Sequence, residues 1–188
     1  MIAVFVSSDN EKEDFKSLFS LLRRQYRVSV IGNRNTVLEK DTEILLLQLQ
    51  NDSISVYCDC AAVLFSPCSL AKALPERCTV LCFNEQAAFY CGGIERQIVS
   101  CGMHNKDTVT LSSLESGKPV LSLQRRLTAF SGDIIDVGDF PLITDEQNHR
   151  ALMAASVLLL LCGSALSPDS FCGQSSTTVP PTLSKKPL

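Results

Sequence analysis

The sequence predicts an α/β protein, a mostly parallel sheet with flanking helices that carries a small antiparallel sheet in its second half. Three observations predict it. Short, continuously apolar runs recur through the first half with polar or helix-length segments between them, as expected of strands buried on both faces of a parallel sheet. From about Gln97 the spacing shortens and Gly-containing turns separate the apolar runs, which is a hairpin pattern. One long apolar segment of helical length closes the patterned part of the chain.

Taken in order, Ile2 to Val6 reads as a strand, and Ser7-Ser8-Asp9-Asn10 as the loop after it. Phe15, Leu18, Phe19, Leu21 and Leu22 then recur at helical spacing. Arg27 to Ile31 is a strand that stops at Gly32-Asn33, and Thr42 to Leu49 is a run bounded by polar residues. Cys60 to Phe65 and Cys78 to Phe83 repeat that pattern. Ile98 to Cys101, Thr108 to Leu111, Val120 to Leu123 and Ile134-Ile135 supply the antiparallel strands, and Arg150 to Cys162 the last helix. Domain organisation follows from the same pass: residues 1–166 form one α/β domain and 167–188 a flexible tail, within a Ser/Thr/Pro-rich stretch that starts at Ser164 and lacks periodicity.

Composition excludes several classes of function. Seventeen Lys and Arg against twenty Asp and Glu give a net charge of −3, without the clustered basic excess that phosphate backbones require. No Trp and 6% aromatic residues leave few stacking platforms for bases. A nucleic-acid partner is therefore not expected. Ala151 to Pro168 is uncharged, but Ser156, Gly163, Ser164, Ser167 and Pro168 interrupt it, and a spanning helix needs about 20 predominantly apolar residues. A core helix is expected there, not a membrane anchor. The nine cysteines are an odd number, and the first residues lack the basic and apolar regions of an export signal. Reduced thiols and a cytoplasmic location are the expectation.

The order of these pieces resembles the central ATP-binding domain of the Mur ligase family, the enzymes that add amino acids to peptidoglycan precursors, over about Met1 to Leu166. In that family the first strand leads to a phosphate loop, T-G-T-N-G-K-T-T, and a helix; Ser7-Ser8-Asp9-Asn10-Glu11-Lys12-Glu13-Asp14 occupies the slot here. Val28 to Asn33 resembles the family strand ending in Gly-Asn. Leu46-Leu47-Gln48-Leu49-Gln50-Asn51 resembles its V-x-E-x-S-S strand, and Val80 to Glu85 the strand ending in N-x-D-D. Cys101-Gly102 with Asp107 to Leu114 resembles Y-G followed by D-V-x-A-x-x-I, and Gln147 to Ala155 the H-N-x-x-N-A-L-A-A helix.

The resemblance implies a nucleotide site, and the departures from the family pattern fall on it. Phosphate loops use glycines so that backbone N–H groups converge on the phosphates, a Lys for the β and γ phosphates, and a hydroxyl for magnesium. Asn10 and Lys12 remain, while Ser8 and Glu11 hold the glycine slots and Glu13 replaces the hydroxyl. The family's magnesium-binding Glu falls at Gln48, a neutral amide ill suited to a hard cation. The family's D-H segment, its carbamylated lysine and its amino-acid-binding C-terminal domain have no counterpart between Met1 and Leu188. The resemblance thus implies a noncatalytic relative without catalytic residues, in which Asn10, Lys12, Glu13, Gln48 and Asn84 are a vestigial nucleotide-binding set. No cofactor is expected on this reading. The alternative is a small enzyme that binds Mg-ATP or a sugar nucleotide through a modified phosphate loop.

The remaining reactive residues carry weaker signals. Cys58-Asp59-Cys60 with Cys78 and Cys82 lacks the paired C-x2-4-C spacing of structural zinc, so no metal site is expected. Cys101-Gly102-Met103-His104 puts a thiol near an imidazole in sequence, but such pairs are assembled in space; a strand-end Cys and a loop His are the expectation. His149 opens the last helix, and Arg23-Arg24 and Arg125-Arg126 read as surface pairs. The function expected is binding, to a protein partner or to the chain itself, with a link to cell-wall precursor metabolism implied by the resemblance.

Overall fold

Alternation along the strand β1 (Ile2–Ser7) decides the layering. Successive strand residues point to opposite faces. Val4 and Val6 join one hydrophobic cluster and Ala3 and Phe5 another, all of them buried. The strands β5 (Cys60–Leu64) and β6 (Cys78–Cys82) divide in the same way: Ala61, Val63 and Leu81 go to the first cluster, Cys60, Ala62, Leu64, Cys78, Val80 and Cys82 to the second. The computed structural model describes residues 1–7, 13–32, 36–48, 56–66, 74–75, 77–83, 96–112 and 118–172.

Around this centre lie β2 (Val28–Ile31), β3 (Thr36–Val37), β4 (Ile44–Gln48), β7 (Ile98–Gly102), β8 (Val109–Ser112), β9 (Val120–Leu123) and β12 (Gly138–Pro141). The ten-stranded sheet has the order β12-β9-β8-β7-β6-β5-β1-β4-β2-β3. Pairing is parallel from β2 through to β8 and antiparallel at the two ends, where β3 joins β2 and β9 and β12 follow β8. The fold class is as the sequence predicts. The small antiparallel sheet is the pair β10 (Leu127–Thr128) and β11 (Ile134–Ile135). The runs from Ile98, Thr108 and Val120, expected in that small sheet, instead extend the large one.

The step from β7 to β8 explains why hairpin spacing misled there. Parallel neighbours need a crossover of a dozen or more residues when they overlap fully. Here only Cys101 with Val109 and Gly102 with Thr110 pair, so the chain moves sideways by one strand and continues in the same direction. Asp107 holds the turn: its Oδ2 accepts a hydrogen bond from the His104 N–H at 3.0 Å. Gly102 makes room for it, because a Cβ there would stand 2.3 Å from that same oxygen.

Two described helices cover one face of the sheet. The first, α1 (Glu13–Leu22), places Leu18, Leu21 and Leu22 in the core. The second, α2 (His149–Leu161), is buried without interruption from Ala151 to Leu161, packed between α1 and the strands β7 and β8. A helix apolar on all sides belongs to a protein interior or a membrane. Its 13 residues span about 20 Å at 1.5 Å per residue, against about 30 Å of hydrocarbon core, and no described helix is long and apolar enough to cross a membrane.

Burial obliges α2 to satisfy its own ends. Asn148 is the N-cap, its side-chain oxygen accepting from the Ala151 N–H at 3.0 Å. At the other end Gly163 adopts φ +77°, and the N–H groups of Gly163 and Ser164 donate to the carbonyls of Leu160 and Leu159. That is the Schellman arrangement, for which glycine is favoured at the left-handed position. Within the helix the buried Ser156 hydroxyl donates to Leu152 O at 2.8 Å.

Packing continues past α2 into the stretch expected to be flexible. Pro168–Phe171 forms a short 3-10 turn, and Phe171 is fully buried in the main cluster. Arg24 and Gln25, just beyond α1, donate to the carbonyls of Phe171 and Ser170 respectively. The expectation of a tail from Ser164 is therefore corrected for residues 164–172. Composition concealed the anchor because one aromatic among Ser, Pro and Asp breaks no pattern. Residues 173–188 lie outside the described residues.

Leu158→Asp or Leu159→Asp, each placing a charge where exposure is at most 1%, should abolish folding or cost more than about 4 kcal/mol in chemical denaturation. Phe171→Ala should cost about 3–5 kcal/mol. Ending the chain after Gly163, which removes Phe171 and its ties to Arg24 and Gln25, should lower the unfolding free energy at least as much.

Candidate functional site

In open α/β sheets ligands bind beyond the carboxyl ends of the strands. At that edge β1 ends at Ser7, β4 at Gln48, β5 at Leu64 and β6 at Cys82. Phe65 and Phe83 follow β5 and β6 directly, with ring centroids 4.9 Å apart. Their positions are set by backbone bonds, from Phe65 N–H to Ser7 O and from Phe83 N–H to Leu64 O.

Both described helices begin at this edge, and a charged cluster joins their first turns. Asp14 is only 5% exposed. Its Oδ1 accepts from the Asn148 side-chain amide at 2.9 Å, and its Oδ2 lies 3.6 Å from an Arg150 nitrogen. The Arg150 guanidinium in turn lies over the rings of Phe65 and Phe83, at 5.1 and 5.6 Å from their centroids. Glu146 adds a second tie, its Oε1 accepting from Ser17 Oγ at 3.3 Å and from the Asn148 N–H at 2.8 Å. A carboxylate between two helix N-termini is electrostatically favourable, because both ends carry exposed N–H groups and partial positive charge. The same arrangement makes Asp14 and Arg150 partners of each other.

Of the residues expected to form a nucleotide-binding vestige, the structure describes two. Glu13 is the exposed first residue of α1. Gln48 is the half-buried last residue of β4 and pairs in register with Val6 on β1, so it stands one residue from the end of the strand that leads to the loop. Asn10, Lys12 and Asn84 lie outside the described residues, as do Ser8 and Glu11. Asp14 and Arg150 were not singled out from the sequence. The signal for Asp14 was present: with Leu18, Leu21 and Leu22 it falls on one helical face at i, i+4, i+7 and i+8. Arg150 is distant in sequence, and nothing local marks it.

The other reactive residues are separated or sheltered. The Cys101 thiol is buried and donates to Val99 O at 3.8 Å, and burial pushes its pKa far above the ordinary thiol value. His104 stands exposed in the turn after β7, so the two do not form a nucleophilic pair. Burial likewise pushes the Cys162 thiol up to about 11, although Tyr26 beside it acts in the opposite direction. Among the described residues no group of three or more His, Cys, Asp and Glu side chains could hold a metal ion. His149 is the first residue of α2; the cap is Asn148.

The architecture is that of a Mur-ligase-like α/β fold. The fold is that of solved Mur ligases, in agreement with the sequence resemblance. MurF ligase from Thermotoga maritima, solved in complex with ADP, superposes at a TM-score of 0.53 with 10% identity, over 93% of this chain and 48% of that one. MurF from Acinetobacter baumannii gives 0.53 with 17% identity over 88% and 43%. A UDP-N-acetylmuramoylalanyl-D-glutamyl-2,6-diaminopimelate--D-alanyl-D-alanyl ligase structure from the same organism gives 0.52 with 18% identity over 88% and 43%. The chain spans less than half the length of these ligases. No protein-family model matches the sequence, and no curated protein sequence matches it. At these identities the likeness is one of fold.

The coupling between Asp14 and Arg150 is directly measurable. Asp14→Ala removes an acceptor from both Asn148 and Arg150 and should destabilise by about 1–3 kcal/mol. Arg150→Ala should cost less, since Arg150 is 42% exposed. The double variant, compared with the two single ones, should show a coupling of about 0.5–1 kcal/mol in urea denaturation; strict additivity would mean that the pair contributes nothing.

Proposed function

We propose that this chain is a noncatalytic Mur-ligase-like domain that acts by binding, to a protein partner or to a second copy of itself, in the cytoplasm and in the setting of cell-wall precursor metabolism. The observation that carries this reading is the acidic, already paired carboxyl edge. A nucleotide phosphate at the start of α1 would meet the carboxylate of Glu13, a repulsion of about 1–4 kcal/mol for unit charges 4 Å apart near a protein surface. Gln48, at the end of the strand beside β1, offers magnesium a neutral amide in place of a carboxylate. Arg150, the cation described at this edge, is engaged with Asp14 and the two Phe rings.

On this reading Asn10, Lys12, Glu13, Gln48 and Asn84 are the remnant of a nucleotide site, a pseudoenzyme's degenerate phosphate loop and its surroundings. Phosphoryl transfer needs a phosphate cradle, a metal and an acceptor held together. The residues at Glu11, Glu13 and Gln48 oppose the first two requirements. The Thermotoga maritima MurF was solved with ADP, so nucleotide binding is the activity to test here.

Titration calorimetry with Mg-ATP should show no saturable heat at physiological concentration, and a phosphate-release assay no turnover above buffer. A ligand bound only by the folded state raises stability by RT ln(1 + [L]/Kd), so millimolar Mg-ATP should leave the melting temperature unmoved. Saturable micromolar binding that Lys12→Ala abolishes would overturn the proposal and identify a modified but working nucleotide site. The binding half is tested by sedimentation of the full chain, alone and with candidate protein partners.

A further inference from the structure

At the edge opposite the nucleotide remnant, β5 and β6 each open on a cysteine, and the two are register partners, Cys60 with Cys78. Neighbouring strands lie about 4.7–4.9 Å apart, and disulfides span Cα separations of about 4.4–6.8 Å. Both side chains belong to the same sulfur-rich face, with Cys82 and the half-buried Cys58. Cys60 also lines a cavity of about 790 Å³ whose other walls include Met1, Tyr57, Cys58, Asp59 and Arg77. From this geometry we propose that Cys60 and Cys78 form a dithiol modification site that exchanges with a low-molecular-weight disulfide of the glutathione class to give a reversible cross-strand disulfide.

The chemistry balances without a further reagent. The Cys60 thiolate attacks one sulfur of the small disulfide; its S–S bond breaks, a mixed disulfide forms on Cys60, and the departing thiolate takes up the Cys60 proton. Cys78 then attacks Cys60 Sγ and expels the second small thiolate, which takes up the Cys78 proton. Two electrons pass from the protein dithiol to the small disulfide. Cys60 is the better attacking group, because hydrogen bonding with Cys78 holds its thiol below the ordinary value while burial acts in the opposite direction. At the cavity the exposed Arg77 attracts the carboxylates of a glutathione-type disulfide, and Asp59 repels them.

Access sets the rate. Cys60 is 2% and Cys78 1% exposed, but each is the first residue of its strand. Strand ends open locally at less free energy than the sheet as a whole, and opening at Cys60 faces the cavity. Exchange is therefore slower than at the exposed Cys172 and proceeds without global unfolding.

The experiment uses the full chain, folded and reduced, treated with glutathione disulfide, then denatured for thiol titration and peptide mapping. Before treatment all nine cysteines should titrate as thiols. After it, Cys60 and Cys78 should be lost together as one intramolecular disulfide, Cys172 should carry a glutathione adduct, and dithiothreitol should restore every thiol. Cys78→Ala should leave a persistent glutathione on Cys60, because the resolving thiol is gone. If that variant does not fold, the wild-type map decides alone. Recovery of Cys60 and Cys78 as thiols while Cys172 reacts would overturn the proposal, as would a stable glutathione adduct on wild-type Cys60 or a disulfide that joins either residue to a third cysteine.

Discussion

Two-sided burial of the central strands is the constraint on which the rest of this structure depends. Because β1, β5 and β6 send alternate residues into two separate cores, neither face of the sheet can be left to water. The face lined by Val4, Val6, Ala61, Val63 and Leu81 is closed by α1 and α2, and α2 in turn is covered by α1. That position explains the composition of α2, which has no polar side to offer. It also explains why its ends are so fully provided for, with Asn148 at one and the Gly163 turn at the other. Unsatisfied backbone groups in such surroundings would each cost about 1–3 kcal/mol.

The Asp14 cluster is a product of the same packing. Once α1 and α2 lie side by side with their first turns at the carboxyl edge, two positive helix ends converge, and a carboxylate between them relieves the repulsion. Asp14 fills that place and carries Arg150 with it, across the rings that follow β5 and β6. The edge at which open α/β sheets take their ligands is here tied together by Asp14, Asn148 and Arg150.

The parallel half of the sheet was legible in the sequence because each strand is a compact apolar run, and such runs tolerate few other interpretations. The edge elements were not. The strands β3 and β10 are two residues long and take their form from their neighbours rather than from any local pattern. At β7 and β8 the turn chemistry around Gly102 and Asp107 was visible, but the direction of the next strand depends on a two-residue overlap that no periodicity encodes. At the carboxyl edge, the sequence order accounts for Gln48 at the end of β4 and Glu13 at the start of α1, with no bearing on whether either binds a ligand. The Asp14–Arg150 pair joins residues from opposite ends of the chain, and only the tertiary structure brings them together.

The uniformly buried α2 also bears on how the molecule is made. It follows every described strand of the sheet in chain order, so during synthesis the apolar face it covers has been translated in full before its cover exists. Partly covered sheets with open edges are the species that aggregate. Even the last strands, β9 and β12, precede the helix in chain order, so the core is incomplete until the helix and Phe171 are in place. Folding of this domain is therefore expected to finish only once that helix is available to dock.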